Sequence, residues 1–221
     1  MPANRGCLNC FLKNIELVVI KNIIFDLGGV IYDIDYHKTI DAFGLLGIDQ
    51  AEVLYSQAQQ TPLFDNYEIG AISTEQFIYE LKAALNKEIP DSLIIQAWNA
   101  LLLGVPAHRL DFLLQLKEQY ATYLLSNTNE LHIRQIDQEL REMNAGPLSN
   151  YFNEVYLSFE LGMRKPHKET FIGVVDRLAL DPNETLFIDD SSQHLIGAKQ
   201  AGLHTYHHVS GDIVDVFPKL V

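Results

Sequence analysis

Asp26 closes a short apolar run, Ile23-Ile24-Phe25, and is followed by Leu27-Gly28-Gly29-Val30. A β-branched run stopped by an acid and a glycine pair reads as a buried strand ending in a tight turn. The acid then sits at the carboxyl end of a strand, where open α/β sheets bind their ligands. A carboxylate there can be a nucleophile, a metal ligand or both, or it can simply cap the turn. Three more polar clusters fall at comparable places: Ser126-Asn127 after an apolar run, Lys165 in a loop that opens a helix, and Asp189-Asp190 after another run. In a parallel sheet the carboxyl ends share one edge, so residues far apart in sequence converge there. The set fits phosphoryl transfer. Asp26 could attack phosphorus and form an aspartyl-phosphate. Asp26 and Asp190 could hold Mg²⁺, which prefers carboxylate, carbonyl and water oxygens. Ser126 Oγ and nearby backbone N–H groups could donate to the phosphoryl oxygens, while Lys165 neutralises the charge that builds there.

Positioning these groups requires a scaffold of alternating strands and helices. After the first strand, residues 35–103 read as helical throughout. Ser73-Thr74-Glu75-Gln76 has the spacing of a capping box before the periodic residues Phe77, Leu81 and Leu85. Asp91 heads a second such run through Ile94, Ile95, Trp98 and Leu102, and Gly104-Val105-Pro106 suits a return hinge. From there helices over 107–119, 130–142, 167–179 and 192–201 alternate with strands over 122–125, 154–157, 185–188 and 204–207, with Gly202 as a C′ glycine. This predicts an α/β fold with a parallel sheet and right-handed crossovers. Its expected parts are an extension over 1–14, a core domain over 15–34 and 104–221, and an inserted helical domain over 35–103.

Of the 221 residues, 48% are hydrophobic, enough for a sizeable core. A formal net charge of −13 argues against a nucleic-acid backbone as partner. It leaves room for small phosphorylated substrates, because a metal ion supplies positive charge locally. The two cysteines, Cys7 and Cys10, lie in the first ten residues without a second pair, and read as incidental rather than as a redox or zinc site. The apolar stretch over 15–25 is short and broken by Lys21 and Asn22, which argues against a membrane span or a signal peptide. The expectation is a cytoplasmic protein, monomeric or weakly self-associating.

The set Phe25-Asp26-Leu27-Gly28-Gly29-Val30, Leu125-Ser126-Asn127, Lys165-Pro166 and Phe187-Ile188-Asp189-Asp190 resembles, in order and spacing, the four motifs of the haloacid dehalogenase superfamily. The stretches Leu124-Leu125-Ser126-Asn127-Thr128-Asn129 and Leu161-Gly162-Met163-Arg164-Lys165-Pro166 are similar to a bacterial subgroup that includes an α-D-glucose-1-phosphate phosphatase. The resemblance implies a Rossmann-like core and a helical cap over 35–103 that closes on the substrate. It also implies roles. Asp26 is the nucleophile and a Mg²⁺ ligand, and Gly28 lends its backbone carbonyl to the metal. Asp190 is the acidic ligand, with Asp189 a direct ligand or an outer partner. Ser126 and Asn127 bind the phosphoryl group, and Lys165 bridges it to Asp26.

One departure matters. Most phosphatases of that superfamily carry a second aspartate two residues after the nucleophile, as the proton donor to the leaving alcohol; here Gly28 stands there, as it does in the glucose-1-phosphate subgroup. Asp33 and Asp35 are close enough in sequence to substitute, or they serve the turn. His194, four residues after Asp190, could orient an aspartate or Lys165, or be a plain surface histidine. Phe64, Tyr67, Glu68, Trp98 and Asn99 are candidates to line a substrate cleft, though aromatics at helical spacing are more often core. Two other activities stay open: a 2-haloacid dehalogenase, which needs no metal, and a catalytically weak relative that works by binding.

Overall fold

The computed structural model describes residues 19–48, 62–85 and 88–219. The extension expected over 1–14, with Cys7 and Cys10, lies outside the described residues. Strand β1 (Asn22–Phe25) leads through a tight turn to β2 (Asp33–Ile34) and helix α1 (Tyr36–Leu45). Helices α2 (Pro62–Glu68), α3 (Thr74–Leu85) and α4 (Asp91–Asn99) precede β3 (Leu102–Gly104). The chain then alternates: α5 (Ala107–Leu116), β4 (Ala121–Ser126), α6 (Glu130–Glu142), β5 (Glu154–Leu157), α7 (Ser158–Leu161), α8 (Lys168–Leu178), β6 (Thr185–Asp189), α9 (Ser192–Gln200), β7 (His204–His207) and α10 (Ile213–Val216).

Five strands form one parallel sheet in the order β5-β4-β1-β6-β7. The first strand in sequence is therefore the central one, with β4 and β6 on either side. That order makes Asp26, Ser126 and Asp189 neighbours on one edge. The apolar run of β1 is continuous because both its faces are covered. Ile23 and Phe25 pack with Leu113 of α5 and Leu140 of α6, while Ile24 faces Phe171 and Val174 of α8. The period-2 alternation of a strand thus feeds two separate cores.

Helices α1 to α4 share a third core, built from Phe43, Phe64, Phe77, Leu81, Ile94 and Trp98. Its aromatics are ordered: Phe64 stacks on Trp98 at 5.2 Å and Tyr67 on Phe77 at 4.2 Å. Trp98 is fully buried, which contributes roughly 3 kcal/mol of apolar transfer. Half of the expected capping box forms: Gln76 N–H donates to Ser73 Oγ at 3.2 Å, but the Gln76 side chain turns outward to Glu80.

The reading of residues 35–103 as wholly helical misses β3. It pairs antiparallel with β2 in a two-stranded ribbon where the chain leaves and re-enters the sheet region. Strands of two and three residues are too short to show a period. Gly104, at the end of that ribbon, has φ +113, which fits the turn expected around it.

Candidate active site

The tight turn after β1 aims the Asp26 carboxylate into a cleft. Leu27, Gly28, Ser126, Asn127 and Asp190 share its wall. Asp26 Oδ1 accepts the Leu27 N–H at 2.7 Å, and Lys165 Nζ lies 2.8 Å from the same oxygen. Lys165 is fully buried and also donates to Asp189 Oδ2 at 2.7 Å, with its ammonium 5.3 Å from the Phe187 ring centre. One cation therefore joins the ends of β1 and β6. Asp189 Oδ1 accepts from Ser191 N–H at 2.7 Å and faces His194 Nδ1 at 2.9 Å.

Two close approaches fix this arrangement. Gly29 has φ +74, and a Cβ there would lie 2.4 Å from Asp190 Oδ2. The Asp190 carboxylate thus rests on the turn that carries Asp26, and only glycine leaves it that space. In α9, a Cβ on Gly197 would lie 1.9 Å from the Pro166 carbonyl oxygen. The bare helix face lets the Lys165 loop lie against it.

The loop after β4 is tied just as closely. Asn127 Nδ2 donates to the Lys165 carbonyl and Lys165 N–H donates to Asn127 Oδ1, both at 2.9 Å. Both polar atoms of the Asn127 side chain are thus held by the Lys165 backbone. Ser126 Oγ has only a contact at 3.5 Å to the Asn127 carbonyl, the outer limit of a hydrogen bond, and it lines the cleft. Ser158 Oγ receives the Thr128 N–H and donates to the Thr128 carbonyl, each at 2.9 Å.

The electrostatics are those of a crowded, dry rim. Burial, and then the charge of Asp189, hold the Asp26 carboxyl well above the usual range, against the pull of Lys165. Burial raises Asp190 to about 6, and Asp189 adds to it. Asp189 goes the other way: burial would lift it, but Lys165 and then His194 outweigh this and bring it to about 2. Burial alone would lower the Lys165 ammonium, and Asp189 and Asp26 together hold it above its ordinary value. His194 is lowered by burial and by Lys165, against the hydrogen bond to Asp189.

Three carboxylates around one ammonium leave the rim short of positive charge. Oxygen atoms of Asp26 and Asp189 and a nitrogen of His194 lie within 4.8 Å of one another, close enough in principle for a cation. The Lys165 ammonium already stands between Asp26 and Asp189. A hard cation fits better on the other side of Asp26, against Asp190 and the Gly28 segment, all of which line the open cleft.

A family model for haloacid dehalogenase-like hydrolases matches residues 20–202. The chain belongs to the haloacid dehalogenase-like hydrolases. The D-ribitol-5-phosphate phosphatase of Bacteroides thetaiotaomicron is 35% identical over 193 residues, covering 87% of this chain and 94% of the relative. A haloacid dehalogenase-family enzyme of the same organism was solved as an aspartate-to-alanine variant in complex with magnesium and inorganic phosphate. It superposes with TM-score 0.85 at 34% identity, covering 90% of this chain and 98% of that one. A hydrolase structure from Porphyromonas gingivalis gives TM-score 0.83 at 30% identity, with coverage of 91% and 98%.

In this haloacid dehalogenase-like hydrolase, both nearby aspartates that could stand in for Gly28 are held elsewhere. Asp33 is paired with Arg109 at 2.7 Å, and Asp35 caps α1, accepting the His37 N–H at 2.9 Å. His194 Nδ1 lies 2.9 and 3.0 Å from the two carboxylate oxygens of Asp189. Of the five candidates for substrate contact, Glu68 lines the cleft. Phe64, Tyr67 and Trp98 are packed in the helical core. Asn99 is not on that wall. Sequence reading missed Tyr36, Leu101 and His132 as wall residues. Tyr36 follows the Asp35 cap directly, so an N-cap assignment there would have placed its phenol at the first helical position, beside the sheet edge. No helix among the described residues is long and apolar enough to cross a membrane.

Proposed function

We propose that this hydrolase is a Mg²⁺-dependent phosphatase of small phosphorylated metabolites, a sugar or polyol phosphate, acting through an aspartyl-phosphate on Asp26. The observation that carries this reading is the Asp26 carboxylate 2.8 Å from a wholly buried lysine, on a cleft it shares with Asp190 and Ser126. The ribitol-phosphate phosphatase supports the substrate class, and the magnesium and phosphate bound by the solved relative support the metal. In this reading residues 35–103 act as the cap. The net charge of −13 argues against a nucleic-acid partner.

The donor set suits the metal: Asp26, the Gly28 carbonyl and Asp190 are hard oxygen ligands on a rim that lacks positive charge. Bound there, Mg²⁺ would offset the negative charge of a phosphate approaching a carboxylate. Lys165 and Leu27 N–H hold Asp26 Oδ1, which leaves Oδ2 to attack phosphorus. The bond to the ester oxygen breaks, and the leaving alkoxide takes a proton from water. Ser126 Oγ donates to a phosphoryl oxygen and Lys165 balances the charge that builds there. Asp189 and His194 act through Lys165 by fixing its ammonium, and Asn127 by fixing its backbone. Water then cleaves the acyl phosphate, restoring Asp26 and releasing inorganic phosphate. With Gly28 in place of an acid, proton delivery lacks its usual side chain, so good leaving groups are turned over best.

Phosphate release from p-nitrophenyl phosphate and from a panel of sugar and polyol phosphates, with Mg²⁺ and with EDTA, tests the reading. Metal-dependent turnover that disappears in Asp26→Asn supports it. Inertness towards the whole panel sinks it.

A further inference from the structure

Glu68 ends α2 and is only 6% exposed, yet it lies on the wall of the same cleft as Asp26, Ser126 and Asp190. Its Oε2 is 3.1 Å from Arg164 Nη2, and Arg164 Nη1 pairs with Asp65, which is half-exposed on the outer side of the same helix. One guanidinium therefore serves two acids of the same helix.

Tyr36 lines the same wall. Burial, and then the charges of Asp190, Asp26 and Glu68, raise its phenol far above the usual range. The ring thus feels Glu68 as well as the reacting acids. Other walls are apolar, through Ile34, Leu101 and Leu102, or neutral, since burial lowers His132 to about 4.

A phosphate monoester with its phosphorus at Asp26 extends its organic part along this wall. A buried carboxylate paired with an arginine accepts hydrogen bonds from hydroxyl groups. It repels a second anion, and none of the described residues of this wall is a lysine or an arginine. Resting on the phosphatase reading above, we infer that Glu68, on the wall of the same cleft, sets specificity. It accepts hydrogen bonds from the hydroxyls of a neutral polyol or sugar phosphate and turns away phosphoesters that carry a further acidic group.

The test compares kcat/KM for ribitol 5-phosphate and for 3-phosphoglycerate in wild type, Glu68→Gln, Glu68→Asp and Asp65→Asn, with p-nitrophenyl phosphate reporting the chemistry. Wild type favours the polyol phosphate. Glu68→Gln shifts the ratio towards phosphoglycerate by about tenfold or more, chiefly through KM. Asp65→Asn, which removes the outer acid and leaves the Arg164–Glu68 pair, keeps the wild-type ratio. Glu68→Asp retains the charge and so still excludes phosphoglycerate, which guards against a Glu68→Gln protein that fails to fold. An unchanged ratio in Glu68→Gln, or a Glu68→Asp that admits phosphoglycerate, overturns the inference alone. A wild type inert towards p-nitrophenyl phosphate overturns the phosphatase reading and the inference with it.

Discussion

At the floor of the cleft, charged groups from β1, β6 and the Lys165 loop are locked by backbone: a tight turn, an asparagine clamp and two glycines that permit contact. At the roof, helices α1 to α4 hold a stack of aromatics and contribute few polar groups, Glu68 foremost. The floor stores electrostatic strain in order to react, with Asp26 and Asp190 both pushed upward. The roof chiefly supplies apolar burial. This division teaches that chemistry here is fixed by main-chain geometry, whereas selectivity is left to side chains that can vary without disturbing the sheet.

The sharpest way to break the comparison is Asp26→Asn. We expect phosphatase activity to fall by at least about a thousandfold, because the attacking group is removed. Stability should hold or rise. The folded Asp26 carboxyl has its pKa above the unfolded value, so its ionised form at neutral pH costs stability, which the amide does not. Thermal unfolding at pH 7.5 alongside p-nitrophenyl phosphate turnover checks both halves. A clearly lower Tm would mean that the floor is held by this charge rather than strained by it.

At the roof the reverse should hold. Trp98→Ala removes the ring that stacks on Phe64 and on His132, and the indole N–H that donates to Asn129 Oδ1 at 3.3 Å. We expect a loss of about 3–5 kcal/mol by urea unfolding, typical of a buried aromatic. Turnover of p-nitrophenyl phosphate by the folded fraction should change far less than in Asp26→Asn. An equal loss of kcat would show that the two regions are not separable.

The same division explains what sequence could show. The floor was legible because each strand is a short apolar run ended by its own polar residue, so local pattern and site coincide. Asp26, Ser126 and Asp190 fall at the ends of β1, β4 and β6, and Lys165 reaches Asp26 from the loop before α8. The Asn127 clamp was not legible, because an amide that binds phosphate and one that binds backbone look alike until a distant loop arrives. The roof was less legible. Phe64, Tyr67 and Trp98 repeat at helical spacing whether they face substrate or core, and here Phe64 stacks on Trp98 while Tyr67 stacks on Phe77. The β2–β3 ribbon was too brief to carry a pattern at all.

A smaller effect separates the acids of the floor. Asp190 titrates at about 6 before metal binds. A raised pKa means that protons compete with Mg²⁺ below that value, so apparent metal affinity should weaken by about tenfold per unit as pH falls below 6. Asp26, also raised, makes the fall steeper. Asp189, at about 2, stays ionised throughout and contributes nothing to it. Mg²⁺ titration by calorimetry at pH 5 and pH 7.5 reads this directly. Equal affinity at both would remove Asp190 from the ligand set, and Asp190→Asn should weaken binding at pH 7.5 while flattening its pH dependence.

The smallest expected change falls where floor meets roof, at Asp35. Its carboxylate caps α1, and loss of such a cap costs about 1 kcal/mol. For a chain of this size that is about 2–4 °C in Tm. If Asp35 instead delivered the proton that Gly28 cannot, Asp35→Ala would lower turnover by about two to four powers of ten. That loss would appear with ribitol 5-phosphate, whose alkoxide needs a proton, and not with p-nitrophenyl phosphate, whose phenolate leaves without one. We therefore expect Asp35→Ala to lower Tm slightly and to leave the ratio of the two rates unchanged. A selective loss on the alkyl phosphate would move Asp35 from helix cap to proton donor, and would mean that the roof takes part in the chemistry after all.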